Sequence, residues 1–366
     1  MFYNRPINKI HIEPTTKCNA RCPQCLRTFG ASLRAVPELI ETDVDPEKFE
    51  LLLKQDFFKS VEMFHVNGNL GDIVMHPYPY EFVMSMRKAI PLAMIKINTN
   101  GGGLSKQFWK WFGAMENTEV EFGIDGLADT HSLYRRNTRW DTVIENAGSY
   151  IDAGGVATWT MLVFQHNEHQ VDECRRMAAE MGFNRFEAKP SVRWHNKDRV
   201  VVDRDFNEVY RLSPSSEVAE KFKDLDIDNS NASSYHDYLN REKETHQSKR
   251  YPSCIECKVQ KERSVYISSD LRLWPCCWIK NHVDQNEWYG YSSSFVEHFY
   301  ESLGYETDFN DLSKYSVDDI MATGLFEDIA QSWNEDSFYE CIKTCGNDNS
   351  ITYRENKTKI WKRDEV

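Results

Sequence analysis

Apolar positions in the first 190 residues alternate between two periods. Runs with an every-second-residue pattern, INKIHIE, VEMFHVNG, AMIKINTNG, VEFGIDG, TWTMLVFQ and FNRFEAKP, read as strands. Between them DPEKFELLLKQ, YEFVMSMRKAI, SKQFWKWFGAM, WDTVIENAGSYIDAGG and VDECRRMAAEMG carry the 3.6-residue period of helices. Strand and helix in turn, through six steps, predict a parallel sheet wrapped by helices. Several strands run straight into Gly or Asn, and such sheets place ligands at the carboxyl ends of their strands. The chemistry is therefore expected in the loops that follow the strands.

The pattern stops near residue 196. Residues 196–250, including DLDIDNSNASSYHDYLNREKETHQSKR, are polar and poor in periodic apolar residues, and read as a partly helical bridge. From residue 251 cysteines return, and after Cys345 the tail is too polar to form a core of its own. A chain of 366 residues exceeds one ordinary domain. The expected division is a core barrel over 1–195, the bridge over 196–250, a small cysteine-rich domain over 251–347 and a polar tail over 348–366.

Charge narrows the class of partner. With 44 basic against 57 acidic residues and a net charge of −13, a sequence-independent grip on nucleic acid phosphates is disfavoured. No run of eighteen apolar residues occurs, and MFYNRPINKIHIEP lacks the features of a signal peptide, so a soluble cytoplasmic protein with no membrane partner is expected. Ten cysteines in such a compartment point to metal or redox chemistry rather than a disulfide framework. Cys174 stands alone on a helical segment and reads as a small buried hydrophobe. The aromatics, 13% of residues, read mostly as core, with Trp194 at the end of the sixth strand as the candidate for substrate contact.

The stretch KCNARCPQC sets Cys18, Cys22 and Cys25 in a C-x3-C-x2-C spacing. Thiolates are the usual ligands of iron-sulfur clusters, and three of them leave one iron of a cubane open to a further ligand. The alternative is zinc, which prefers four ligands and would need His11 or His65 to complete the set.

That spacing, in a loop after the first strand and preceded by EPTTKCN, resembles the signature of the radical S-adenosylmethionine enzymes. The resemblance covers residues 7 to 190 and implies a partial (β/α)6 barrel, open on one side. It implies a [4Fe-4S] cluster held by Cys18, Cys22 and Cys25, whose fourth iron takes the amino and carboxylate groups of S-adenosyl-L-methionine. Reductive cleavage of that cofactor to a 5′-deoxyadenosyl radical, which abstracts a hydrogen atom from the substrate, is the implied chemistry. In GNLGDIVMHP, Gly71 and Asp72 stand where the family has a Gly-Gly-Glu-Pro turn, with Asp72 replacing the Glu that receives the methionine amino group. INTNGGG, with Thr99 and Asn100, is similar to the family's TNG turn, and GIDG, with Asp125, to its SIDG turn; Gly123 replaces the Ser that often touches the ribose. Arg135 stands where relatives pair an Arg with the methionine carboxylate, and the adjacent Arg136 competes for that role. Gln24 occupies the place of a large apolar residue against the adenine, where its amide is expected to hydrogen-bond the base.

A second group lies in SCIECKVQKERSVYISSDLRLWPCCW, with Cys254, Cys257, Cys276 and Cys277, and in ECIKTCG, with Cys341 and Cys345. It resembles the SPASM or twitch extensions of the same enzymes. Alternating Val265, Ile267, Leu271 and Leu273 support a short hairpin, with Leu271 in place of the family's Gly. The resemblance implies one auxiliary [4Fe-4S] cluster on Cys254, Cys257, Cys276 and Cys345, with Cys341 as the alternate for the last and Cys277 spare. A zinc knuckle of Cys254, Cys257, Cys341 and Cys345 is the competing reading, and either metal would staple a small domain.

The function so implied is maturase-type modification of a peptide or protein side chain, with small-molecule chemistry in cofactor or sugar biosynthesis as the alternative and a non-enzymatic zinc-stapled binding protein third. A reducing protein such as a flavodoxin or ferredoxin is the implied electron donor. Because the barrel starts by about residue 7, a leader-peptide-binding module is expected on a separate protein. No catalytic acid, base or radical-bearing side chain stands out in the sequence.

Overall fold

The computed structural model of the chain describes residues 2–191, 193–194, 198–222, 255–289, 308–333, 339–346 and 359–362. Six parallel strands follow one another in sequence order: β1 (Lys9–Ile12), β2 (Met63–Asn67), β3 (Met94–Thr99), β4 (Thr118–Gly123), β5 (Val156–Val163) and β6 (Arg185–Pro190). Helices α1 (Pro46–Leu52), α2 (Pro79–Ala89), α3 (Lys106–Gly113), α4 (His131–Tyr134), α5 (Trp140–Asp152) and α6 (Val171–Met181) connect them. The expected α/β class with a mainly parallel sheet is what is found.

Alternation along each strand builds the two faces. Ile10 and Ile12, Ile95 and Ile97, and Val120 and Phe122 are fully buried, while Lys96, Asn98, Glu119 and Glu121 between them are half-buried. The apolar face packs on the helices. Phe108, Trp109 and Phe112 of α3 are buried there, and the Phe112 ring stacks on Tyr150 of α5 with centroids 5.7 Å apart. Each such ring removed from water contributes about 1.5–3 kcal/mol. Asp45 caps α1 by accepting from the Glu47 and Lys48 amides, with Pro46 preset for the first turn.

The opposite face is a polar ladder. Lys96 Nζ lies 2.6 Å from Glu121 and 3.0 Å from Glu119, and Asn98 Nδ2 donates to Glu121 at 2.6 Å. His65 bonds Asn98 Oδ1 at 3.0 Å and His11 bonds the Asn67 carbonyl at 2.8 Å. These two imidazoles are thus hydrogen-bonded members of the ladder on β1 and β2.

The second half of the chain extends the same sheet. β7 (Arg199–Val202) and β8 (Glu208–Leu212) form a separate antiparallel hairpin inside the stretch expected to be a partly helical bridge, followed by a helix, Ser216–Phe222. Residues 223–250 lie outside the described residues. β9 (Ser264–Ile267) runs parallel beside β1, and β10 (Leu273–Trp274) pairs with β9 at the edge. β11 (Lys359–Lys362), from the polar tail, adds to β6 and sets Trp361 against Phe186, 5.5 Å between centroids with the rings tilted by 40°. The order is β10-β9-β1-β2-β3-β4-β5-β6-β11.

Leu271, at the position where Gly was expected, adopts φ +58° in the turn between β9 and β10. A left-handed leucine costs about 1–2 kcal/mol. Burial of its side chain, 8% exposed, returns a similar amount. Cys174 is fully buried on α6, as expected. Among the described residues no helix is long and apolar enough to cross a membrane.

Candidate active site

The loop after β1 carries Cys18, Cys22 and Cys25 to the carboxyl end of the sheet. Cys22 is buried, Cys18 and Cys25 half-buried, and all three touch an apolar cluster that includes Tyr134, Phe164, Trp194 and Leu212. Burial, then the nearby charges of Asp72, Cys22 and Cys25, pushes the Cys18 thiol well up. Burial likewise pushes Cys22 up to about 12, against the pull of Arg135. Bare thiolates are costly here, and a cationic iron-sulfur group reverses that cost. The donor set therefore fits the implied cluster, with an apolar shell that limits water. Among the described residues no three His, Cys, Asp or Glu side chains converge as they do on a single metal ion.

Asp72 organises the neighbouring turn. Its Oδ1 accepts from Thr99 Oγ1 at 2.7 Å and the Val74 amide at 3.1 Å, and its Oδ2 from the amide and side chain of Asn100 at 2.7 and 2.8 Å. Four donors fill a carboxylate's four acceptor positions. Burial nevertheless pushes its pKa up. Asn100 then reaches the cysteine loop: its Nδ2 lies 2.9 Å from Asn19 Oδ1 and 3.8 Å from Cys18 Sγ. Gly71 is required by contact, since a Cβ there would lie 1.8 Å from the Thr15 carbonyl just upstream of the cysteines. So Gly71, Asp72, Thr99 and Asn100 meet beside Cys18.

Asp125, fully buried after β4, accepts from the Leu162 amide and from Arg135 Nε, both at 2.6 Å. Burial raises its pKa and Arg135 opposes the rise. The Arg135 charge also pulls the buried Cys22 thiol down. The guanidinium expected to pair with a methionine carboxylate is thus engaged by Asp125. Arg136 donates instead to the carbonyls of Ala31 and Val202 at 3.0 and 2.8 Å, tying the cysteine loop to β7. Gln24 accepts from Ser191 Oγ at 2.6 Å and donates to the Arg193 carbonyl at 2.8 Å, so its amide joins the loop to the end of β6. Trp194 donates to the Ser191 carbonyl at 2.7 Å and packs with the cysteines.

Three residues escaped the sequence reading. Glu13 accepts from Tyr266 Oη at 2.5 Å and from the Leu70 and Gly71 amides at 2.6 and 3.1 Å, joining β9 to the Asp72 turn. Asn19 donates to the Gly102 carbonyl at 3.0 Å. Thr160 of β5, the register partner of Gly123, has a buried hydroxyl with no hydrogen-bond partner. Glu13 and Asn19 lay within the quoted motif EPTTKCN, but Thr160 carries no signal until the register is known.

Four of the second cysteine group line a common cavity. Ile255 pairs with Gly346, and the Glu256 amide donates to the Cys345 carbonyl at 2.9 Å, which sets Cys257 beside Cys345. Cys257, Cys276, Cys341 and Cys345 line it with Phe2 and Trp333. The hydrogen bond with Cys345, then burial, raises Cys257, while burial raises Cys276 and brings Cys341 to about 12. Cys277, raised to about 12 by burial and then by the charge of Glu13, does not line the cavity. Cys254 lies outside the described residues.

No protein-family model matches the chain. Molybdenum cofactor biosynthesis protein 1 of Dictyostelium discoideum is 22% identical over 173 residues, 47% of this chain and 26% of that protein, so the alignment spans about a quarter of the relative's length. The solved structure of native anSMEcpe with bound AdoMet superimposes with a TM-score of 0.51 at 14% identity, over 87% of this chain and 82% of that one. The same protein with AdoMet and the Cp18Cys peptide gives 0.50 at 14%, over 92% and 88%. SuiB of Streptococcus suis bound to S-adenosylmethionine gives 0.49 at 12%, over 75% of this chain and 61% of that one. The likeness to anSMEcpe shows a shared fold.

Proposed function

We propose that the chain is a radical S-adenosylmethionine enzyme acting on a peptide or protein side chain. The observation that carries this reading is the placement, after strands of one parallel sheet, of Cys18 against the Asp72 and Asn100 turns, with Cys22 and Cys25 packed in the same apolar cluster. Cys18, Cys22 and Cys25 would hold a four-iron cluster, which would supply the electron for reductive cleavage of S-adenosylmethionine and so the radical chemistry of hydrogen abstraction.

The chain's own residues do the rest. Asp72 fixes the backbone of two turns against the cysteine loop, so the methionine end of the cofactor meets a preformed surface. Thr160 offers the hydroxyl that Gly123 lacks one strand away, and its unpartnered Oγ1 is suited to a hydroxyl of the ligand. Tyr134, Phe164 and Trp194 keep water from the reacting end.

The four-thiol cavity suits the auxiliary cluster of a SPASM- or twitch-like segment, on Cys257, Cys276, Cys341 and Cys345. A peptide substrate is supported by the likeness to a fold solved with the Cp18Cys peptide. A small-molecule substrate is the second reading, favoured by the curated relative named for cofactor synthesis. A one-electron donor protein and a separate leader-binding protein complete the proposal.

Anaerobic reconstitution with iron and sulfide, then reduction in the presence of S-adenosylmethionine, should yield 5′-deoxyadenosine. Cluster-loaded, reduced protein that never releases it overturns the reading.

A further inference from the structure

Gly123, at the end of β4, lies directly beneath Arg135. A Cβ on Gly123 would sit 2.4 Å from Arg135 Nη2 and 2.9 Å from Cζ. Even an alanine would displace the guanidinium. On one side Arg135 Nε is held by Asp125 Oδ2 at 2.6 Å, and Asp125 is itself locked by the Leu162 amide. On the other the guanidinium sits by Tyr134, which packs with Cys22 in one apolar cluster, and its charge pulls the Cys22 thiol down. Its Cζ also lies 5.7 Å from the Tyr134 ring. A fixed, permanently charged fork is therefore placed near one cysteine of three, and the space for it exists because position 123 has no side chain.

From this geometry we infer that Arg135 sets the reduction potential of the cluster that the proposed function places on Cys22, with Gly123 and Asp125 as its positioning residues. Reduction adds one electron to the cluster, from a low-potential one-electron donor, with no bond made or broken. A guanidinium held near Cys22 would stabilise the added negative charge and so favour the reduced state. Arg135 thus makes the first electron easier to deliver.

The test is a redox titration of anaerobically reconstituted full-length protein without S-adenosylmethionine, followed by the paramagnetic signal of the reduced cluster. Omitting that ligand removes any contribution from a contact between Arg135 and its carboxylate. Arg135→Met removes charge and donors, and Gly123→Ala keeps the arginine but forces it aside. Both should shift the midpoint to more negative values, with roughly tenfold loss in the reduction equilibrium, about 59 mV for one electron. Reduced cluster loading with an unmoved midpoint in both variants would mean that the arginine only supports the loop, and overturns the inference. Wild-type protein with no cluster signal dependent on Cys18, Cys22 and Cys25 overturns the underlying proposal as well, so the two failures are distinguishable.

Discussion

Tyr266 Oη donates to Glu13 at 2.5 Å, joining residues 253 positions apart in sequence. Glu13 also holds the Leu70 and Gly71 amides, so one buried carboxylate ties β9, the end of β1 and the turn after β2 together. Glu13→Ala leaves three buried donors without an acceptor, at about 1–3 kcal/mol each. Glu13→Gln keeps an acceptor for the amides and should cost less than half as much. Urea unfolding of the two variants checks the order, and equal losses would mean that the carboxylate contributes through packing alone.

Asn100 links Asp72 to Asn19 and Cys18. Asn100→Asp sets a second carboxylate against Asp72 and a negative charge beside a cluster thiolate, a like-charge contact in a buried site. Iron bound per chain after reconstitution should fall severalfold, while circular dichroism shows the sheet intact.

Thr160→Val keeps the shape of the side chain and removes its unpartnered hydroxyl. S-adenosylhomocysteine binding to the reconstituted protein should weaken roughly fivefold to tenfold, the value of about 1 kcal/mol for one hydrogen bond. Thr160→Ser should bind as wild type does. Calorimetry decides, and undiminished affinity in the valine variant removes Thr160 from the cofactor site.

Much of this was legible in the order of the residues. The six β/α units follow from alternating Ile, Val and Phe positions, and the grouping of Asp72, Thr99, Asn100 and Asp125 from turns that follow successive strands. What stayed hidden depends on three-dimensional register. Thr160 is ordinary until β5 is seen beside Gly123, and Arg135 reads as a partner for a ligand until Asp125 is found on it. The β7/β8 hairpin was missed because its exposed edges mix charge and Val, which weakens a period-two signal. The pairing of β9 with β1 joins distant segments, and no local pattern announces that.

The four thiols of the second cavity make a further test of metal content. Cys257→Ala combined with Cys345→Ala should halve iron per chain and leave the paramagnetic signal of the first cluster. Cys277→Ala, outside the cavity, should change neither. Zinc in place of the lost iron in wild-type protein would favour a knuckle there instead.

Burial lowers His11 to a pKa of about 3 and His65 to about 4. In the unfolded chain each titrates near 6.5. Between those values the unfolded state binds more protons, so stability is full above pH 6.5 and declines as pH falls toward 4, by up to about 1.4 kcal/mol per pH unit per histidine. His65→Gln keeps a donor for Asn98 and removes one titration. Its unfolding free energy, followed from pH 7 to 4.5, should fall with a visibly shallower slope.

In the finished sheet β1 is flanked on both sides, yet one neighbour, β9, is translated some 250 residues after it. At ordinary ribosomal speeds the first strand waits on the order of tens of seconds with an open hydrogen-bonding edge. An exposed edge of that kind recruits other chains. Nascent protein truncated before residue 264 should therefore depend on holdase chaperones that the full-length product, once zipped shut, no longer needs.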